Sequence, residues 1–379
     1  MEKRILKGLG VESSRLGMGL MRLPEKNGKI DYETAEKMID RLMESGVTYY
    51  DTAWFYHDHT SEAFAGRALI SRYPRNSFTI ATKMPVGDVN APEDADRIFD
   101  IQRSNLGVET IDFYLLHGLN WSGWEKCANF GLHDKLRKWK KEGKLRFFGF
   151  SFHGDPEDLG RILDAYNPDF VQIQLNYYDW FVGDSKALYH AANSRGVNLI
   201  VMGPVRGGAL VNLNEKIARV FDLAEPGRSA ASYALRWCAS LSGVDIILSG
   251  MTTPEQVEDN IKTFQGNTRL SDSEREVIDR AMNEYKKLPI IPCTQCKYCK
   301  NCHKGIEIYS LFAGYNEKVA LGGSWLLENY LKLVPEGKRV TDCEECGKCE
   351  KACPQNIEIV KEMKRIYEAC IRQCMHESK

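Results

Sequence analysis

The chain has 379 residues, enough for one large domain and a smaller one. Hydrophobic residues make up 43% and charged residues 27%, and 51 Lys and Arg against 52 Asp and Glu leave a net charge of -1. That balance excludes broad electrostatic attraction to nucleic acid or to an anionic membrane. With no apolar run of the ~18 residues a membrane helix needs, and no signal-peptide core in the start MEKRILKGLG, a cytoplasmic protein is expected.

Up to about residue 265, strand-like apolar runs alternate with amphipathic helical patterns. Strands are predicted to begin near Leu16, Val47, Phe78, Ile111, Phe147, Phe170, Asn198 and Val244. Between them lie predicted helices: Tyr32–Glu44, Ser61–Ser71, Asp94–Leu106, Leu132–Glu142, Pro156–Ala165, Ser185–Arg195, Arg228–Leu241 and Pro254–Phe264. Strict alternation implies parallel strands, and eight such units fit a closed (β/α)8 TIM barrel. Ser271–Lys287 reads as one more helix, outside the barrel. Pro289 and Pro292 mark a boundary. The expected domains are therefore 1–287, the barrel, and 288–379, a small and mostly α-helical domain.

Of twelve cysteines, eight fall between Cys293 and Cys353. The runs are CTQCKYCKNC, with Cys293, Cys296, Cys299 and Cys302, and CEECGKCEKACP, with Cys343, Cys346, Cys349 and Cys353. The second has the C-x2-C-x2-C-x3-C-P spacing of bacterial ferredoxins, in which three thiolates wrap one cluster and the fourth reaches the other. Zinc prefers two separated C-x2-C pairs, so two 4Fe-4S clusters are expected. The first run departs from the pattern, with His303 in place of proline, and helical stretches such as Trp325–Leu333 resemble an α-helical ferredoxin. Which cysteine serves which cluster stays open. Cys370 and Cys374, four apart, read as spare or packed thiols that could also stand in as ligands.

Active sites of such barrels lie at the C-terminal ends of the strands. Those ends carry Asp51, Tyr56 in the loop after it, Lys83 and His117, in YYDTAWFY, TIATKMP and DFYLLHGLN. A tyrosine hydroxyl, with an ordinary pKa of ~10, is made more acidic by a neighbouring ammonium. Lys83 would so activate Tyr56, Asp51 would hold Lys83, and His117 could donate to a carbonyl oxygen. Nearby, His57 and His59 flank Asp58 on a polar loop and read as solvated. Trp54 and Trp121 are loop aromatics that would either wall a substrate or pack their loops. Lys135–Lys144 reads as a solvated helix face.

These residues resemble the aldo-keto reductase superfamily: Asp51, Tyr56, Lys83 and His117 match its catalytic tetrad. RLGMGLMR resembles the first strand and its cofactor-side turn, with Gly19 and Met21. GFSF resembles the G-x-S-N segment, and ILSGMTTPEQVEDN the adenosine-binding strand and helix, with Gly250, Met251, Gln256 and Asn260. The resemblance implies NADP or NAD as cofactor, with Ser151 and Gln172 on the nicotinamide carboxamide. It places Met202, Gly203, Pro204, Val205 and Arg206 along its back and the pyrophosphate. Phe152 replaces the usual asparagine, and Met202 the usual stacking aromatic. Gly250 and Gln256 stand where NADPH-dependent members carry lysine and arginine, with Arg206 a candidate substitute, so NADH versus NADPH stays open.

The expected activity is hydride transfer between NAD(P)H and a small aldehyde, ketone or alcohol, with Tyr56 as proton donor. A nicotinamide moves two electrons and a cluster one, so direct coupling needs an intermediary such as a flavin, for which the sequence has no fingerprint. Two alternatives stand beside this reading. One is an enzyme passing electrons through the clusters to a redox protein partner; the other is a non-catalytic redox sensor.

Overall fold

The computed structural model describes residues 1–293, 298–353 and 356–371. It divides into two compact units, Met1–Gly207 with Ala231–Arg275, and Gly208–Ala230 with Glu276–Lys379.

The first unit contains a closed barrel of eight strands: Leu16–Gly19, Tyr49–Asp51, Thr79–Met84, Ile111–Leu119, Leu145–Phe152, Phe170–Gln174, Asn198–Met202 and Val244–Gly250. Each pairs in parallel with its sequence neighbours, and the last closes on the first, with Ile247 opposite Leu16 and Gly250 opposite Gly19. The strands are apolar on both faces because one faces the interior and the other the helices. All eight begin within two residues of the sequence expectation. The helices follow their apolar stripes. Tyr32–Glu44, for example, is capped by Asp31 accepting from the Thr34 N–H and buries Ala35, Met38, Ile39 and Leu42. On Leu132–Lys141 the lysines stay outside, while Trp139 stacks on Phe99 with centroids 4.0 Å apart.

Carboxylates at the strand starts lock the register. Asp112 accepts from the Ile80 N–H, Asp169 from the Phe148 N–H and Asp245 from the Leu199 N–H, at 3.0, 2.9 and 2.9 Å. The sequence reading did not foresee the hairpin Lys3–Leu6 and Val11–Ser14. Its Leu6 and Val11 join Tyr49, Phe113, Phe147, Phe170, Ile200 and Ile246 in the barrel interior. Asn198, at the start of a barrel strand, bonds both the N–H and the carbonyl of Lys7. The N-terminal end of the barrel is therefore plugged, and polar chemistry is left to the other end.

The second unit is helical, with Ile308–Leu321 and Ile359–Ile366 as its longer helices beyond residue 290. Ile306, Ile308, Phe312, Ile357, Ile359 and Met363 form its core, and Cys293, Cys299, Cys302, Cys343, Cys349 and Cys353 pack against it. Among the described residues no helix is long and apolar enough to cross a membrane.

Gly149 lets the ring of Phe170 into the barrel: a methyl group there would stand 2.3 Å from the Phe170 carbonyl oxygen and 2.9 Å from its ring. Backbone cannot yield as a flexible side chain does. Gly149→Ala is expected to destabilise the barrel by about 1–3 kcal/mol, read as a lower urea midpoint by far-UV circular dichroism.

Candidate active site

Four side chains converge at the open, C-terminal end of the barrel. Asp51 ends the second barrel strand, Lys83 lies near the end of the third and His117 near the end of the fourth; Tyr56 arrives from the loop after Asp51. Alternation along Thr79–Met84 turns Lys83 inward and Thr82 outward. The Lys83 ammonium, 1% exposed, donates to Asp51 Oδ1 at 2.5 Å, to the Thr52 carbonyl at 2.7 Å and to the Tyr56 hydroxyl at 3.3 Å. The Tyr56 and His117 rings meet edge-on, centroids 6.1 Å apart.

Behind Lys83 a buried polar network holds its strand. Gln102 Nε2 donates to the Lys83 carbonyl at 2.9 Å and to Glu62 at 2.7 Å, and Thr82 Oγ1 also donates to Glu62, at 2.6 Å. The Tyr114 hydroxyl donates to Gln102 Oε1 at 2.6 Å. Every member has a partner, the condition under which such a network rigidifies a site.

Burial dominates the titration of these groups. It pushes Asp51 up, against the pull of Lys83. It works against the Lys83 ammonium too, but Asp51 and then Tyr56 outweigh it and hold the lysine above its ordinary range. Lys83 does pull Tyr56 downward, as expected from its charge, but burial outweighs that pull and the net shift is upward. Burial, then Lys83 and His153, push His117 down to about 3, so its ring is neutral.

Three polar atoms here are buried without a partner among the described residues: Asp51 Oδ2, His117 Nδ1 and Gln172 Oε1. Such atoms are costly unless a ligand satisfies them. Gln172 Oε1 can accept from a primary amide, and Gln172 Nε2 lies 3.5 Å from Met202 Sδ. Ser151 Oγ accepts from the Gly118 N–H at 2.8 Å. These atoms fit a nicotinamide carboxamide. Gly203, Pro204, Val205 and Arg206 follow Met202 at the strand end, while Gly19, Met21 and Gly250 sit at the ends of the paired first and last strands. The remaining predicted contacts each have a protein neighbour or are buried. Met251 is fully buried, Asn260 donates to Ser249 Oγ at 2.9 Å and Gln256 Oε1 accepts from the Thr252 N–H at 2.7 Å. Arg206 pairs with Asp179 at 2.9 Å.

His57 was missed. Its side chain is 6% exposed; Nε2 accepts from the Leu23 N–H at 3.2 Å and Nδ1 lies 2.8 Å from Glu25. It ties the loop of Tyr56 to the turn after the first strand. His57, Asp58 and His59 all have positive φ, at 50, 50 and 67°, a conformation non-glycine residues rarely adopt. Composition carries no trace of it. Trp54 packs edge-on against His59, and Trp121 lies under Arg161 at 3.7 Å.

In the second unit, Cys299 and Cys302 from the first run and Cys343, Cys346 and Cys349 from the second line one cavity of about 260 Å³ with Ile308 and Met363. The Glu345 N–H donates to Cys343 Sγ at 3.4 Å. Among the described residues no three His, Cys, Asp or Glu side chains converge on a point as a lone ion requires. Sulfurs ringing a wider space suit a polynuclear iron–sulfur cluster. Cys353 packs against the same core, Cys370 is buried, and Cys296 and Cys374 lie outside the described residues.

Comparison with known proteins agrees with this geometry. The Aldo/keto reductase family profile matches residues 15–283, and a 4Fe-4S dicluster domain matches 292–358. The chain is 25% identical over 280 residues to L-galactose dehydrogenase of Arabidopsis thaliana, covering 69% of this chain and 87% of that protein. It is 26% identical over 328 residues to an NADH-specific methylglyoxal reductase of Escherichia coli strain K12, covering 72% and 96%. An aldo-keto reductase from Bacillus halodurans, in its holo form, shares the fold with a TM-score of 0.61 at 24% identity, over 74% of this chain and 96% of that one.

The neutral His117 makes a pH prediction. The unfolded chain takes up this proton near 6.5, the folded protein only near about 3. The unfolded state therefore binds more protons as pH falls below 6.5, and stability drops through that window. His117→Asn is expected to flatten the drop, measured by urea unfolding at pH 7 and at pH 5.

Proposed function

The chain belongs to the aldo/keto reductase family and carries a 4Fe-4S dicluster domain, and from that premise we propose that this NAD(P)-dependent oxidoreductase reduces a small aldehyde or ketone, or oxidises the alcohol, in its barrel. The observation that carries the reading is the buried Lys83 ammonium bonded at once to Asp51 and to the Tyr56 hydroxyl. We place the barrel domain at 1–287 and the cluster domain at 288–379, in a cytoplasmic protein.

Bound NAD(P)H supplies the hydride. Gln172 and Ser151 hold the carboxamide, and the neutral His117 donates a ring N–H to the carbonyl oxygen and so fixes its position. The Tyr56 hydroxyl gives its proton to that oxygen. Lys83 stabilises the phenolate left behind, and Asp51 keeps Lys83 charged. Burial, which holds the Tyr56 pKa high at rest, keeps the proton in place until the oxygen becomes basic enough to take it. Phe55 stands at the mouth, 45% exposed and 6.0 Å from the His117 ring, and offers an apolar wall to the body of the substrate.

In the second domain, Cys302 with Cys343, Cys346 and Cys349 would hold one 4Fe-4S cluster, and Cys293, Cys296, Cys299 and Cys353 the other. The cavity lined by Cys299 and Cys302 together with Cys343, Cys346 and Cys349 supports a cluster site that draws on both runs. Such clusters supply one-electron transfer. The exposure of Cys346 favours a second reading, in which electrons leave through this site to a redox protein partner, with a flavin as intermediary.

Tyr56→Phe is expected to lower kcat by about 10²–10⁴ with NAD(P)H affinity unchanged, measured by steady-state kinetics and nucleotide titration. Unchanged turnover would sink the assignment of the proton donor. An anaerobic titration of cluster-replete protein with NADH and with NADPH separates the two readings. Nucleotide binding with the cluster absorbance unbleached is expected for a self-contained carbonyl reductase; bleaching would establish electron flow to the clusters.

A further inference from the structure

Three consecutive residues follow Tyr56 in a conformation that side chains disfavour. His57, Asp58 and His59 have φ of 50, 50 and 67°, a region where glycine is free and other residues are strained. The chain nevertheless carries a side chain at each position. Two of the three make contacts that a glycine could not. His59 lies edge-on to Trp54 and Phe55, with centroids 5.2 and 5.9 Å away. His57 turns inward, its side chain 6% exposed.

The His57 ring meets a stiff partner. Its Nε2 accepts from the Leu23 N–H at 3.2 Å, which puts the ring hydrogen on Nδ1, where it donates to Glu25 Oε1 at 2.8 Å. Leu23 is buried and extended, with φ of -61° and ψ of 153°, ahead of Pro24. Glu25 opens the hairpin Glu25–Lys26 and Lys29–Ile30, whose turn residues Asn27 and Gly28 have φ of 56 and 71°, the Asn-Gly turn that suits a two-residue hairpin loop. On its own side the loop closes on His57, whose carbonyl accepts from the Thr60 N–H at 3.0 Å and from Thr60 Oγ1 at 2.5 Å. His57 thus joins a closed loop to a rigid hairpin, and Tyr56 is the residue directly before it.

We infer that His57 is a positioning residue for the proton donor: by fastening its loop to Leu23 and Glu25, it holds the Tyr56 hydroxyl against the Lys83 ammonium. The inference rests on the reading of Tyr56 as proton donor. The Tyr56 contact, at 3.3 Å, is the longest of the three that the ammonium makes, so a small shift of the loop breaks it before the others. The turn after the first strand does not depend on His57 in the same way. Its Leu20 carbonyl accepts from Ser61 Oγ at 3.2 Å and its Arg22 carbonyl from Thr252 Oγ1 at 3.0 Å. Loss of the ring therefore loosens the loop of Tyr56 and leaves that turn in place.

The test compares His57→Gly, which removes the ring and relieves the left-handed backbone, with His57→Gln, whose amide oxygen can take the Leu23 N–H as Nε2 does. Cluster-replete proteins are assayed for reduction of butanal, benzaldehyde and butanone with NADH and NADPH, below the melting temperature of each variant, and nucleotide affinity is measured by titration. His57→Gly is expected to lower kcat about ten- to a hundredfold with nucleotide affinity within twofold of wild type, and His57→Gln to recover most of the loss. Glu25→Ala, which leaves the strained backbone untouched, is expected to lower kcat in the same direction and by less. A contact that serves stability alone lowers the melting temperature and leaves kcat of the folded protein unchanged. Values of kcat within twofold of wild type in both His57→Gly and Glu25→Ala therefore overturn the inference. A rise in KM without a fall in kcat overturns it too, as does His57→Gln no more active than His57→Gly. A wild type that reduces none of the three compounds, or Tyr56→Phe as active as wild type, overturns instead the reading of Tyr56 as proton donor.

Discussion

A lysine ammonium taken out of water must be answered by charge and by hydrogen bonds, and Lys83 is answered on every side. Asp51, the Thr52 carbonyl and the Tyr56 hydroxyl take its three protons, one each. Removing one partner of such a buried pair costs about 3–5 kcal/mol, so the second and third strands can pair in only one register without that loss. Tyr56 is then held by the same ammonium that lowers the cost of its ionised form. Stability and chemistry at this end of the barrel rest on one nitrogen atom.

The constraint extends outward through the strand backbone. The Lys83 carbonyl is tied to Gln102, Gln102 to Glu62 and Tyr114, and Glu62 to Thr82. Burial raises the pKa of the Glu62 carboxyl, while the donors of Thr82, Gln102 and Asn105 act to keep it ionised. These groups lie between strand and helix, outside the reacting space. They hold the strand backbone at Lys83, and with it the ammonium that Asp51 and Tyr56 share.

Asp51, Lys83 and His117 were legible in sequence because each ends an apolar run whose alternation and spacing announce a strand, and Tyr56 because it follows so closely. The cysteine runs were legible because cluster ligands come in fixed local steps. What stayed hidden depended on contacts that no local pattern records. The Lys3–Ser14 hairpin is too short to show periodicity and gains meaning only where Leu6 and Val11 meet the interior of strands far along the chain. His57 sits among polar neighbours and reads as solvated, yet three left-handed residues turn its ring inward. The net Tyr56 shift was not legible because a sequence shows the neighbouring charge and not the depth of burial.

The closing pair of the barrel, Leu16 against Ile247, joins the first strand to the last. A chain leaving the ribosome from its N-terminus can therefore complete no barrel until Gly250 has emerged. The cysteine runs follow only after that point. The helix Ile359–Ile366, whose Ile359 and Met363 belong to the core against which six of those cysteines pack, emerges later still. The barrel can therefore close while the core beside the cysteine runs still lacks that helix.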